Sequence, residues 1–255
     1  MRVLIVNQLV KKMVENILKN KNCLITGATG GLGRQIAIEF AKKGCNLFLT
    51  SKEENLEELK EEVKKINNEI SVEFHLTDLR IDKEIDSLVT KIRQEFIHID
   101  ILVNCAGENH RKPIAESTIE EYDSCMNLNV RAPFILSKEF SKDMVNNRWG
   151  RIVNIASSGA YNGLKKTIIY RSSKHALLGL TRSLYNELKE YDVRTYCISP
   201  GPIKTNMGTE IINKENPNED FESFMNPKEI ADFITFVIGF DNNLISPEIR
   251  LGRIK

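Results

Sequence analysis

Tyr170 and Lys174, in the run Tyr-Arg-Ser-Ser-Lys, are four positions apart. On a helix that spacing puts a phenol and an ammonium on one face, one turn from each other. A neighbouring ammonium favours the phenolate, so such a pair can give up and take back a proton near neutral pH. Ser157 stands thirteen residues upstream, just after the apolar run Gly150 to Ala156, and its hydroxyl can donate to an oxygen on which charge develops. Tyr and Lys are also common on solvated helix faces. The pair acquires chemical meaning only if the chain around it supplies an electron carrier and a way to hold it.

The elements that would do so are legible in order. Cys23 to Thr26 is a short apolar run, Gly27-Ala-Thr-Gly30-Gly31-Leu-Gly33 follows at once, and Arg34 to Lys43 has helical periodicity. A glycine-rich turn between strand and helix lets the backbone approach a pyrophosphate, to which the helix N-terminus presents free N–H groups. Asn46 to Thr50 reads as a second strand ending in Ser51 and Lys52. A basic residue there suits the 2′-phosphate of NADP, although Lys52 could equally open the charged helix Glu53 to Asn67. Ile70, Val72 and Phe74 alternate as a third strand and lead to Asp78, either an N-cap for the next helix or an acceptor for an adenine amino group. A helix over Asp82 to Phe96 precedes the buried strand Asp100 to Asn104, which runs into the small-residue turn Cys105-Ala106-Gly107.

Thr118 to Asn147 keeps helical periodicity, with Pro133 marking a bend or a division in two, and Asn127 and Asn129 lie in its first half. Val193 to Ile198 is a further strand entering Ser199-Pro200-Gly201-Pro202-Ile203-Lys204-Thr205. Pro227 to Phe240 reads as a last helix and Ile249 to Leu251 as an edge strand. Strands alternating with helices specify an α/β fold with a doubly wound parallel sheet, Rossmann-like, in a single domain. Ligands of such sheets bind beyond the C-terminal strand ends, so the glycine turn, Asp78, Asn104 and Ser157 should share one rim.

Composition narrows the partners. With 255 residues, 28% charged and a net charge of +1, neither a nucleic-acid footprint nor a polyanionic surface is expected. Five widely spaced cysteines with no C-x-x-C pair suit reduced thiols in the cytoplasm, and the four histidines show no metal spacing, so no metal is expected. No apolar stretch approaches the ~20 residues of a membrane span, and Val3 to Val6 leads to no cleavage-site pattern, so neither membrane association nor a signal peptide is expected. Residues 1–20 read as an N-terminal extension. Val6, Val10, Met13, Val14 and Ile17 share one helical face, and Met13 is a candidate native start.

Taken together, these motifs resemble the short-chain dehydrogenase/reductase family over about Lys21 to Asp232. The matching elements are Thr26-Gly27-x-x-x-Gly31-x-Gly33, Asp78, Asn104-Cys-Ala-Gly107, Asn129, Ser157, Tyr170-x-x-x-Lys174 and Pro200-Gly201. Cys105 departs from the family's usual second asparagine, and Ser246-Pro-Glu-Ile-Arg-Leu-Gly-Arg replaces its frequent Asp-Gly-Gly turn. The resemblance implies a catalytic tetrad of Asn129, Ser157, Tyr170 and Lys174. Tyr170 would be the general acid in reduction, Ser157 would bind the substrate oxygen, Lys174 would also grip the nicotinamide ribose, and Asn129 would hold a water in a proton relay. Ser157 is preferred to Ser158 because thirteen residues to the tyrosine is the family's spacing.

Cofactor contacts would come from Gly27, Thr29, Gly31, Leu32, Gly33, Ser51, Lys52, Asp78, Leu79, Asn104, Ala106 and Gly107, with Tyr170, Lys174, Pro200, Gly201, Ile203 and Thr205. NADP(H) is favoured over NAD(H). The expected function is oxidoreduction between a secondary alcohol and a ketone of 3-oxoacyl, hydroxy-acid or keto-sugar type. A polar segment at about 206–226 reads as a lid, whose Phe221, Phe224 and Met225 face either the substrate or the body. A homodimer or homotetramer through the helices around Thr118 to Asn147 and Tyr170 to Glu190 is implied as well. Two other readings remain at this stage: a non-catalytic NAD(P)-binding regulator of the same fold, and a nucleotide-sugar epimerase or dehydratase, which the short tail disfavours.

Overall fold

The computed structural model describes residues 17–209 and 221–253. The helix expected within residues 1–20, except from Ile17 onward, the proposed start at Met13 and the middle of the lid lie outside these residues.

Among the described residues seven strands form one sheet: β1 (Asn22–Thr26), β2 (Asn46–Ser51), β3 (Val72–Leu76), β4 (Ile101–Asn104), β5 (Gly150–Ile155), β6 (Val193–Ser199) and β7 (Glu248–Arg250). Their order is β3-β2-β1-β4-β5-β6-β7 and every neighbouring pair is parallel. The chain therefore winds outward from β1 to β3, then returns to start the other half at β4. The β1/β4 junction is the switch point, where a crevice opens beyond the strand ends.

Successive strand residues face opposite sides. Cys23, Ile25, Leu47, Leu49, Ile101 and Val103 pack into one core with α1 (Gly31–Lys42), α2 (Leu56–Ile66) and α7 (Pro227–Ile238). Leu24, Phe48 and Leu102 point the other way, onto α3 (Asp82–Glu95) and α5 (Ala132–Asn146). Since both faces are covered, the inner strands are apolar almost throughout, which explains why they read as runs, whereas the edge strand β3 is only partly buried and reads as an alternation. The helix α6 (Ile168–Leu188) adds Leu177 and Leu178 to a smaller cluster with Ala156 and Cys197.

The long helical stretch after Thr118 divides differently from expectation. Thr118 caps α4 (Ile119–Met126) in a reciprocal box: its hydroxyl accepts from the Glu121 N–H, and the Glu121 carboxylate accepts from the Thr118 N–H. A π turn, Asn127–Arg131, then joins α4 to α5 without a break. Pro133 lies in the first turn of α5 and has no N–H, so the Asn129 carbonyl lacks its i+4 donor; the Ala132 N–H instead reaches the Asn127 carbonyl, five residues back.

Candidate functional site

The C-terminal strand ends open onto one cavity of about 830 Å³. At the switch point the glycine turn leaves no room for side chains. Gly27 holds φ +61°, and a methyl group there would lie 2.8 Å from the Ala106 Cα. A methyl at Gly33 would lie 2.2 Å from the Gly27 carbonyl oxygen. Thr26 fixes the facing turn, its Oγ1 accepting from the N–H groups of Cys105 (3.0 Å) and Ala106 (3.1 Å). The N-cap of α1 is Gly30 and, among the described residues, no side chain caps the helix, which leaves its first N–H groups for an anion in the cavity. These features fit the pyrophosphate of a dinucleotide.

At the adenosine end, Thr29 Oγ1 and Ser51 Oγ are 2.7 Å apart and Glu53 accepts from Thr29 at 3.3 Å. Lys52 is exposed at the cavity rim. Asp78 is not an N-cap: Ile81 occupies that position of α3 and makes no side-chain cap. Its carboxylate instead accepts from Arg80, at 2.8 and 3.1 Å from Nε and more closely from Nη2. That contact holds Asp78 below the usual carboxylate range. Arg80 also faces Glu108 at 3.6 Å.

At the other end, Lys174 is buried on α6 and donates to the Ile155 carbonyl at the end of β5, 2.8 Å away. Its ammonium is 5.7 Å from the centre of the Tyr170 ring, the one-turn relation that the spacing predicts. Ser157 Oγ accepts from the Gly159 N–H at 3.0 Å, which orients the hydroxyl and leaves its own proton to donate. Both groups line the cavity, as does Ser158, whose N–H is tied to the Pro200 carbonyl. Burial pushes the Cys105 thiol up to about 12, only partly opposed by Lys174.

Two expected site residues are not on the cavity wall. Asn104 is buried and donates to Asn154 (2.8 Å), which donates to Thr181 (2.9 Å), so its side chain ties β4 to β5 and α6. Asn129 is fully buried in the π turn. Its Oδ1 accepts from the Glu108 N–H, and its Nδ2 donates to the Glu108 carbonyl (3.0 Å each) and to Ser173 Oγ (2.9 Å). Ser173 in turn donates to the Tyr170 carbonyl at 2.7 Å, which links the π turn to the tyrosine's helix. All other expected cofactor contacts line the cavity. Sequence reasoning did not single out Arg80, Arg111, Ser173 or, apart from its place in the motif, Arg171; loop arginines carry no periodic signal, and Ser173 reads as filler between Tyr170 and Lys174.

Of the lid, Phe224 is buried and Met225 packs on the main core. Met225 also pairs with Ile203 as an isolated bridge, so these two dock the lid's end to the body.

A parallel doubly wound sheet with a dinucleotide-shaped crevice and a Ser, Tyr and Lys at one end defines a nicotinamide-dependent oxidoreductase of the Rossmann class. Residues 21–216 match the short chain dehydrogenase family. An uncharacterized oxidoreductase of Staphylococcus saprophyticus is 34% identical over 76% of this chain and 82% of its own length. The 3-oxoacyl-[acyl-carrier-protein] reductase of Aquifex aeolicus is 29% identical over 91% and 95%. The crystal structure of L-sorbose reductase from Gluconobacter frateurii, complexed with NADPH and L-sorbose, superposes with a TM-score of 0.82 at 26% identity, covering 91% of this chain and 95% of that one. This chain belongs to the short-chain dehydrogenase/reductase family, whose members act between CH–OH and C=O.

Proposed function

We propose that this protein interconverts a secondary alcohol and a ketone, prefers NADP(H), and uses Tyr170 as its proton donor and acceptor. The observation that carries this is the meeting of Tyr170, Lys174 and Ser157 in the same cavity as the glycine turn. The bound nicotinamide supplies or accepts the hydride. Every other step falls to the chain's own groups.

In the reductive direction the ketone oxygen accepts from the Ser157 hydroxyl, which the Gly159 N–H holds from behind. Tyr170 donates its phenolic proton to the same oxygen as charge grows there. Lys174, anchored on the Ile155 carbonyl, provides positive charge one helical turn away and remains buried among backbone groups. Asn129 acts from behind, through Ser173 and the Tyr170 carbonyl. The N-terminal end of α1 would receive the pyrophosphate, and Lys52 with Ser51 would receive the 2′-phosphate. NADPH in the sorbose reductase and NADP in a metagenomic short-chain oxidoreductase of 25% identity support that preference.

Exposed Ile119 and Tyr122 on α4, Phe134 on α5 and Ile168 on α6 support association through these helices into a homodimer or homotetramer. Five free cysteines, four of them buried, support a reducing, cytoplasmic setting.

The test is a panel of ketones and alcohols with NADPH and NADH, followed by nicotinamide absorbance, on the native protein and Y170F. Y170F should lose roughly a thousandfold in turnover, with NADPH affinity by calorimetry nearly unchanged. Substantial residual activity in Y170F would remove the mechanism.

A further inference from the structure

Gly159 is buried two residues after Ser157 and lines the cavity together with Ser157 and Arg171. Its backbone gives no reason for a glycine, because its φ is not positive. Its surroundings do. The Gly159 N–H donates to Ser157 Oγ at 3.0 Å, so the chain passes directly beside the hydroxyl that would receive a carbonyl oxygen. A methyl group on its Cα would lie 3.3 Å from that Oγ, 3.4 Å from Arg171 Cγ and 3.6 Å from Arg171 Cζ. The first two contacts are shorter than the optimum of about 3.5–4.0 Å for non-bonded heavy atoms.

Neither neighbour is free to give way. Ser157 Oγ is held by the Gly159 N–H. The Arg171 Nε donates to Thr167 Oγ1 and its Nη1 to the Asn162 carbonyl, both at 2.9 Å, with a closer contact to Asn162 Oδ1. Thr167 Oγ1 in turn donates to the Leu164 carbonyl at 2.7 Å. The loop between the serine and the tyrosine is thereby closed on the arginine, whose stem is fixed at the helix and at the guanidinium. When a carbonyl oxygen accepts from Ser157, its carbon and both substituents must fit around the same hydroxyl. An aldehyde brings hydrogen on one side, whereas a ketone brings carbon on both. At Gly159 the wall beside Ser157 carries no side chain.

We infer that Gly159 is a specificity-determining residue. Its missing side chain makes the room beside Ser157 that the second carbon substituent of a ketone occupies, and the Arg171 stem bounds that room, so the group seated there is a methyl rather than a longer chain. The larger substituent runs toward Leu164 and Met207, exposed apolar side chains of the cavity wall. The substrate class is thus a methyl ketone, or the matching secondary alcohol, with one extended substituent. This rests on the proposed oxidoreductase reading.

Matched carbonyl compounds test it. Benzaldehyde, acetophenone and propiophenone share a phenyl group and carry hydrogen, methyl and ethyl on the other side, and methyl 3-oxobutanoate and methyl 3-oxopentanoate repeat the methyl-to-ethyl step on a polar compound. A third set is built in the same way on the best ketone of the substrate panel. In the native protein kcat/KM should favour methyl over ethyl ketones by about tenfold. G159A should lower acetophenone against benzaldehyde by about tenfold or more, whatever loss the two share. R171A removes the stem and should act in the opposite sense, raising ethyl against methyl ketones by a similar factor, while R171K keeps Cγ and should leave that ratio as it is in the native protein. Merely structural roles would lower every member of a set alike. Melting curves identify the folded variants, and R171A decides if G159A does not fold. An unmoved ratio in either folded variant overturns the inference, as does a native protein that takes ethyl ketones as readily as methyl ketones; both outcomes leave the oxidoreductase reading intact. If no carbonyl compound is turned over with either cofactor, that reading fails and the inference falls with it.

Discussion

Lys52 stands at the end of β2, exposed at the cavity rim, with Glu53 beside it already engaged by Thr29. Its ammonium is the cationic group that the 2′-phosphate reading needs, and reversing its charge isolates that contribution. K52D should weaken NADPH by roughly tenfold or more at low salt and NADH far less, as read by calorimetry with each cofactor. Equal losses would show that Lys52 does not read the 2′-phosphate. Cys105 invites a different measurement. With burial raising its thiol to about 12, the fraction present as thiolate at neutral pH is minute, despite the nearby ammonium of Lys174. Iodoacetamide at pH 7.5 should label it at least about a hundredfold more slowly than a free thiol, with site occupancy followed by mass spectrometry; rapid labelling would contradict that environment. The site's residues were unevenly legible at this scale. Tyr170, Lys174 and Ser157 could be read because helical and strand spacing fixes where they point. The direction of the Asn104 side chain was not legible, because a strand-end asparagine can face its neighbour as well as the crevice, and here it donates to Asn154. Asp78 was read as either of two acceptors, yet the nearest claimant is Arg80, two residues on, which no periodicity marks.

Elements were easier to read than their joints. The inner strands announced themselves as apolar runs because helices cover both faces of the sheet, whereas the edge strand β3 showed as an alternation. The π turn was not legible: Pro133 is acceptable in the first turn of a helix, so its presence allows a clean start as readily as a widened turn. The first turn of α1 was also missed, since glycines lower helix propensity and moved the apparent start to Arg34. Those same glycines make a prediction that belongs to the strand–turn–helix unit as a whole. A methyl group at Gly33 would sit 2.2 Å from one backbone oxygen and 2.9 Å from the Gly27 carbonyl carbon, and backbone cannot swing aside as a side chain can. G33A should therefore spread the turn, lower stability by roughly 1–3 kcal/mol and abolish measurable NADPH binding. Urea denaturation and calorimetry on the same sample check both halves. Undiminished cofactor affinity in G33A would mean that the turn does not hold the pyrophosphate.

Across the whole molecule, the candidate site and a buried ion pair lie at opposite ends of the strands. The cavity lies beyond the C-terminal strand ends, whereas Arg151, at the start of β5, is fully buried near the other edge. Its guanidinium donates to the carbonyls of Gly150 (2.8 Å), Ile238 (3.2 Å) and Asp192 (3.3 Å) and to Asp241 (2.5 Å), and it lies 4.3 Å from the Trp149 ring centre. One side chain thus joins β5, the entry to β6 and the exit of α7. Burial pulls its pKa below the ordinary arginine value, and Asp241 is among the groups opposing that shift. Asp241 also pairs with Arg194 at 3.1 Å. Removing the carboxylate leaves a buried cation without its counter-charge, which is the costly way to break such a pair. D241A should lower the unfolding free energy by roughly 2–4 kcal/mol, the lower figure reflecting the water that still reaches Asp241. E95Q, which breaks the solvent-facing Lys91–Glu95 pair, should leave the urea midpoint unmoved. Because Asp241 is remote from the crevice, the folded fraction of D241A should bind NADPH with native affinity. A weakened affinity at full folding would show that the two ends of the sheet are coupled rather than independent.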